Sequence, residues 1–450
     1  MSAEAAAAID VGRALDHGRW TGFQKWVLVL ASLAFAVDGL ANQVLGVAIP
    51  ALIKDWHASR AAFAPIAATG LIGVAIGATL GGVLGDRIGR RIGLIGSILV
   101  FGAATAASAW AAGPSSLLWL RLVAGLGIGG AIPNGAALIS EFTPLKSRTW
   151  AISIGMVFIP VGGVLAGLAG TIVLESMGWK GVFVIGGLTP ILTGLLFAAV
   201  LPESPRFLLR QPGHRQQLLR LLARCGCEAD DKSTLVEEVA DPSRTSVGAL
   251  LGPAMLKDTL AIWAAFFFCL LASYTMFSWI PTMLLGQGFS LKATSEGSLV
   301  FNIGGVLGGV IGGWLIQQLG SRISVPVLAL GGVAGALALG LGHYEAAQGM
   351  SAIGVALFVE GVFIAGLHNG MYTLAAHAYP SFARATGVGA AAGVGRIGAV
   401  VSSYTGVLSL QLAGASGYFV VIAGAIGLSL ISIVLVRNQI PSSARAAVAA

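Results

Sequence analysis

Twelve apolar runs of roughly 20 residues recur along this chain. They fall near 26–50, 64–84, 92–112, 116–140, 150–174, 181–201, 258–282, 294–317, 324–342, 350–374, 386–411 and 417–436. Coiled at about 1.5 Å per residue, each run matches the hydrocarbon thickness of a bilayer. A helix satisfies its own backbone in lipid, so each run is expected as a helix. Composition agrees. Of 450 residues, 56% are hydrophobic and only 10% charged, where soluble domains carry about 25% charged residues. The chain reads as an all-α membrane protein of 12 transmembrane helices. The opening MSAEAAAAIDVGRALDHGRW is polar and lacks a separate apolar core, so no secretory signal is expected there.

Charge orients the spans. Of the 26 Lys and Arg, 20 fall in the two ends and the even-numbered loops, and only Lys54, Arg60, Lys180 and Lys292 in the odd-numbered ones. Basic loops stay on the cytoplasmic side, which puts both termini there. The net charge of +7 then faces an anionic leaflet and implies no nucleic acid. The expected organisation is a tail (1–25), a six-helix bundle (26–201), a polar central loop (202–257), a second six-helix bundle (258–436) and a tail (437–450). QQLLRLLARCG (216–226) predicts a short amphipathic helix in the loop. Cys225, Cys227 and Cys269 complete neither a disulfide framework nor a metal site, and are read as free thiols.

The chain repeats itself. GGVLGDRIGRR (81–91) returns as GGWLIQQLGSR (312–322), PNG (133–135) as HNG (368–370), and Pro144 with Arg148 as Pro380 with Arg384. Two related bundles point to a site between halves that is exposed alternately to each side. A receptor, scaffold or membrane enzyme could have twelve helices but has no need of matching halves. An enzyme would also want a nucleophile–base pair or metal cluster at membrane depth, and the spans offer neither. Nothing resembles a phosphate-binding loop, so ATP-driven transport is not expected.

GGVLGDRIGRR resembles the loop signature of the major facilitator superfamily. The resemblance implies two pseudo-symmetric six-helix bundles, and a contact between Asp86 and the arginines Arg87, Arg90 and Arg91 that gates the cytoplasmic side. The second copy has Gln317 and Gln318 where the first has Asp86 and Arg87, so the gate should be asymmetric. A narrower resemblance covers nearly the whole chain. Asp38-Gly39, RLVAGLGIGGAIPNGAALISEFTP (121–144), GWKGVF (178–183), LPESPRFL (201–208), WIPTML (279–284) and YPSFARATGVG with GVGRIGA (379–399) are similar to the aromatic acid:proton symporters. That family is bacterial and imports benzoate-type acids across the cytoplasmic membrane, with the proton gradient in place of a cofactor.

Ionisable groups inside a span cost about 2.5–3.5 kcal/mol on insertion scales, so they are functional candidates by default. Asp38 matches the first acid of the family's acid-Gly-x-acid motif, but Ala41 stands in place of the second. Asp38 is a proton-coupling candidate or a buried partner of an arginine. Asn42 shares its helical face, and Gln43 lies about 100° further round. Arg396, between Gly395 and Gly398, matches the family's GRxGA arginine and is suited to a substrate carboxylate. The flanking glycines would leave its guanidinium approachable. Arg121 either binds a carboxylate, pairs with Asp38 or holds helices together. Glu360 either supplies acidity lost at Ala41 or borders a water-filled vestibule, and is expected on one broad face with His368. His368, Asn369 and Tyr372 could hydrogen-bond polar groups on a substrate ring. Tyr274, Phe277, Trp279 and Pro281 could form an aromatic wall, with Trp279 better read as an interfacial anchor. Glu141 and Arg148 are read as gate or loop-fixing residues.

These features predict a proton-coupled importer of a small aromatic carboxylate, working as a monomer without metal or cofactor. The alternatives are a symporter of another organic acid, a proton-driven exporter and a non-transporting substrate sensor.

Overall fold

The computed structural model describes residues 8–211, 213–227, 234–236, 247–253, 255–342, 344, 346, 349–380 and 383–442. Of the cations counted for orientation, Lys232, Arg244 and Arg445 lie outside these, as do Ser381 and Phe382 of the YPSFARATGVG stretch.

Among the described residues eleven helices are long and apolar enough to cross a membrane. The first six are α2 (Gly22–Asp55), α3 (Phe63–Ile88), α4 (Arg90–Ala107), α5 (Pro114–Phe142), α6 (Leu145–Val173) and α7 (Gly178–Val200), preceded by strand β1 (Ala8–Asp10) and helix α1 (Val11–His17). Short α8 (Pro205–Arg210), α9 (Arg215–Arg224), strand β2 (Thr234–Val236) and α10 (Val247–Leu250) occupy the central segment. Then come α11 (Leu256–Gly286), α12 (Leu291–Leu319), α13 (Ser321–Leu341), α14 (Ser351–Ala378) and α15 (Arg384–Leu435). α15 holds the last two spans: Ala413 and Gly414 leave helical geometry, Gly414 at φ +59° and ψ −148°. They split it into limbs 384–412 (α15a) and 415–435 (α15b), which restores twelve spans.

The repeat sets the packing. Gly73, Gly77 and Gly81 form a stripe on α3, one residue per turn, against α5. A Cβ on them would stand 2.5 Å from the Leu122 carbonyl oxygen, 2.1 Å from that of Leu126 and 2.3 Å from the Gly130 Cα. Gly304, Gly308 and Gly312 repeat this on α12 against Phe358, Val362 and Gly366 of α14, with corresponding gaps of 2.0, 2.1 and 2.9 Å. Backbones this close gain dispersion contact that lipid cannot supply. Each stripe ends at a tight turn through a glycine with positive φ, Gly89 at +105° and Gly320 at +77°. A side chain there would be strained. The two halves are therefore one architecture written twice.

Both described chain ends lie on the same side, called here the basic end. The tail is not free: β1 pairs in parallel with β2, Ile9 opposite Leu235. The expected amphipathic helix is α9, with Leu218, Leu221 and Leu222 buried and the Arg224 guanidinium 3.9 Å from the centre of the Phe23 ring. The three cysteines are free, and Cys225 and Cys269 are buried.

Candidate functional site

Asp38 lies midway along α2 and is 1% exposed. Asn42, one turn on, donates its amide to the Asp38 carbonyl oxygen at 3.2 Å and to Oδ2 at 3.4 Å. The other carboxylate oxygen has no hydrogen-bond partner. A buried carboxylate so placed is costly unless a cation faces it or a proton occupies it. Arg396 of α15a is that cation, and its charge acts on Asp38 from the opposite half. The two are not in direct ion contact.

Arg396 is held in place. Its Nη1 donates to the Tyr274 hydroxyl at 2.7 Å, and its guanidinium lies 5.9 Å from the centre of that ring. Its flanking glycines set its position through close packing. A Cβ at Gly398 would stand 2.1 Å from the Phe267 carbonyl oxygen, and one at Gly395 2.9 Å from the Leu270 side chain. They press α15a onto α11, which sets the depth of Arg396. His368 and Tyr372 of α14 stack at 5.7 Å and 22°, within electrostatic range of Arg396. Phe266 meets Tyr372 edge-on at 5.1 Å, and Phe277 meets both Tyr274 and Phe301 edge-on. Asp38, Asn42, Arg396, His368 and Tyr372 are thus neighbours linked through Arg396, and Tyr274, Phe277, Phe301 and Phe266 join them by ring contacts. Asn369 sits to the side, its Nδ2 against Gly309 of α12 beside Val157 of α6.

Three expectations are corrected. Arg121 does not pair with Asp38. It lies near the start of α5, donates to the Ser108 hydroxyl at 2.8 Å and rests 5.3 Å from the centre of the Phe183 ring, all within the first half. Glu360 borders no vestibule and does not share a face with His368. It is fully buried, both carboxylate oxygens lack partners, and Oε2 packs at Gly335 of α13, with Tyr418 of α15b in electrostatic range. Eight residues turn a helix by about 80° beyond whole turns, enough to carry Glu360 off the His368 face. Trp279 is no interfacial anchor. It is fully buried, against Gly406 of α15a.

The basic end carries a polar cluster. Asp86 pairs with Arg90, whose Nε lies 3.8 Å from Glu141 Oε1. Glu141 accepts from the Ser204 hydroxyl. Arg91 donates a side-chain hydrogen bond to the Ala198 carbonyl oxygen at 2.6 Å, while Arg87 is exposed. Arg148 pairs with Asp16 of α1 and donates to the Thr143 carbonyl oxygen at 3.3 Å. Sequence reasoning missed Glu203. Its Oε1 accepts from the backbone N–H of Arg91 at 3.0 Å and of Ser204 at 2.8 Å, so it caps the N-terminus of α4. The signal was present in LPESPRFL, an acid directly before the Ser204 that caps the next helix. The second copy of the loop uses neutral groups instead. Ser321 bonds Gln439 at 2.7 Å and exchanges backbone and hydroxyl contacts with Ile440.

Two like bundles with a charged, aromatic-lined region at their shared mid-depth define a membrane transporter. Residues 31–403 match the profile of the Major Facilitator Superfamily, and the chain belongs to that family. It is 32% identical over 410 residues to the gallate transporter of Pseudomonas putida, covering 90% of each chain. It is 31% identical over 409 residues to the 4-hydroxybenzoate transporter PcaK of the same organism, again covering 90% of each. Its fold matches the inward-open xylose transporter XylE of Escherichia coli at a TM-score of 0.70 and 18% identity, over 92% of this chain and 96% of the other. The protein is a multi-pass transporter of the inner membrane.

Proposed function

We propose that the protein imports a small aromatic carboxylate together with protons by alternating access, with its basic end in the cytoplasm. The observation that carries this reading is the arrangement around Arg396. A fork-shaped cation, fixed by Tyr274, faces Asp38 across the boundary between halves without touching it. A carboxylate entering that gap competes with Asp38 for the guanidinium. Protonation of Asp38 removes the competitor, so proton and anion bind together. His368 and Tyr372 offer hydrogen bonds to ring substituents, and the Tyr274–Phe277–Phe301 wall suits a flat ring. The transport of gallate and 4-hydroxybenzoate by the relatives supports the substrate class. Arg121 and Glu360 lie outside the gap and are assigned no contact with the substrate. Asp86, Arg90, Arg91, Glu141 and Arg148 organise the cytoplasmic gate.

The test is uptake into proteoliposomes under an imposed pH gradient, with a panel of hydroxybenzoates, phenylpropionates and aliphatic acids. Accumulation of at least one aromatic acid that collapses with the gradient is expected. Uptake restricted to the aliphatic acids would overturn the substrate class.

A further inference from the structure

We propose that Gln43 and Asn302 form the outer catch of the transport cycle, a pair of amides that must part before the outer side opens. The two side chains bond reciprocally: Gln43 Nε2 donates to Asn302 Oδ1 at 2.9 Å, and Asn302 Nδ2 donates to Gln43 Oε1 at 2.8 Å. Gln43 belongs to α2 of the first half and Asn302 to α12 of the second, so both bonds cross the boundary that alternating access must open. Both residues are buried. Asn302 also donates to the Ser298 carbonyl oxygen at 2.8 Å, which fixes its rotamer.

A third helix is shaped around the pair. A Cβ at Gly163 of α6 would stand 2.2 Å from Asn302 Oδ1 and 2.3 Å from Gln43 Nε2. The catch lies about 7.5 Å beyond Asp38 along α2, toward the end opposite the termini. It therefore roofs the region around Arg396. The neighbouring contacts outward of it are close but carry no such pairing: Gly46 against the Phe277 and Ser278 carbonyl oxygens, Gly167 against Leu299, and Gly170 against Ser295. Packing of that kind loosens gradually. A dry reciprocal amide pair does not, because parting strands donors and acceptors until water reaches all of them. This makes it a two-state element of the sort a gate requires.

The inference rests on alternating access as proposed above, but its test needs no substrate and can fail while aromatic-acid uptake stands. In a cysteine-free background, Ser295→Cys reports opening of the outer boundary to a membrane-impermeant maleimide, and Thr105→Cys reports the interior of the first half. Gln43→Ala and Asn302→Ala are each expected to speed labelling at position 295 by roughly tenfold, the equivalent of one buried hydrogen bond, with position 105 unchanged. The exchanged pair, Gln43→Asn with Asn302→Gln, keeps the amide chemistry and total length and is expected to return labelling toward the native rate. Unchanged labelling at 295 in both single variants overturns the proposal. Equal acceleration at 295 and 105 also overturns it, since that marks general loosening of the fold.

Discussion

At the scale of single residues, the two acids buried within spans, Asp38 and Glu360, have opposite surroundings and should behave oppositely. Asp38 has Asn42 and the charge of Arg396; Glu360 has no hydrogen-bond partner for either oxygen. An unpartnered dry carboxyl is tolerated in its neutral form. Glu360→Gln should therefore retain pH-driven accumulation. Asp38→Asn should abolish accumulation while leaving counterflow of labelled substrate intact. Full accumulation by Asp38→Asn would remove Asp38 from the proton role. Arg396→Lys keeps the charge but loses the planar fork held by Tyr274, and its affinity for a carboxylate should fall about 10- to 100-fold. Titration by binding calorimetry or scintillation proximity reads this directly. In the central segment, burial pushes the Cys225 thiol up to about 12. The native protein should leave Cys225 unalkylated at pH 8, and denaturant should release it. The vacancy at Ala41 also has a local explanation. Ala41 is buried in the apolar cluster of the first half with Val37, Val74 and Phe101, so an acid there would face a dry wall.

At the scale of elements, the glycine stripes govern. Gly77→Leu would drive a side chain into the Leu126 backbone carbonyl, and Gly308→Leu into that of Val362. Backbone cannot rotate aside, so each should cost more than the 1–3 kcal/mol typical of an overpacked core, roughly. Thermal midpoints in detergent should fall by similar amounts for both, because the positions correspond in the repeat. Hydropathy and charge made the spans legible, and the matched loop exposed the two halves. Composition could not show where the inward faces lie, because every face of a span is apolar. Glu360 and Trp279 were misplaced for that reason: an ionisable or amphipathic side chain in a span has no solvent side to declare, and the neighbour that receives it is chosen by packing. The break between the last two spans was legible as a dip in hydropathy near 412–416, and the structure makes it a bend at Gly414 within one run of helix.

At the scale of the whole molecule, the two ends of the bundle differ in chemistry. One end gathers charged networks around Asp86, Glu141 and Glu203. The boundary toward the other is held by the Gln43–Asn302 amides and close backbone packing. The proposed topology is directly testable in a cysteine-free background. In sealed right-side-out vesicles, Ala112→Cys should react with an impermeant maleimide and His214→Cys should not. The reverse pattern would invert the orientation. Of the site itself, Asp38, Asn42, Arg396, His368 and Tyr372 were readable because charge or polarity is rare in a span. Asn302 was not, since one amide among the glycines of α12 gives no hint of the partner it meets 259 residues away.

The tie between β1 and β2 bears on how the molecule is made. Residues 8–10 are made long before their partners, 234–236, and Thr21 and Phe23 likewise meet Arg224. Strand β1 must wait through the synthesis of six spans before it can pair. Assembly of the first half is thus finished by a stretch of chain beyond that half. A fragment ending at 201 would keep the Asp16–Arg148 contact of α1 but leave β1 without its partner strand, whereas one ending at 236 would carry both. Co-expressed with the remainder of the chain, the longer fragment is the one expected to resist proteolysis at its amino end.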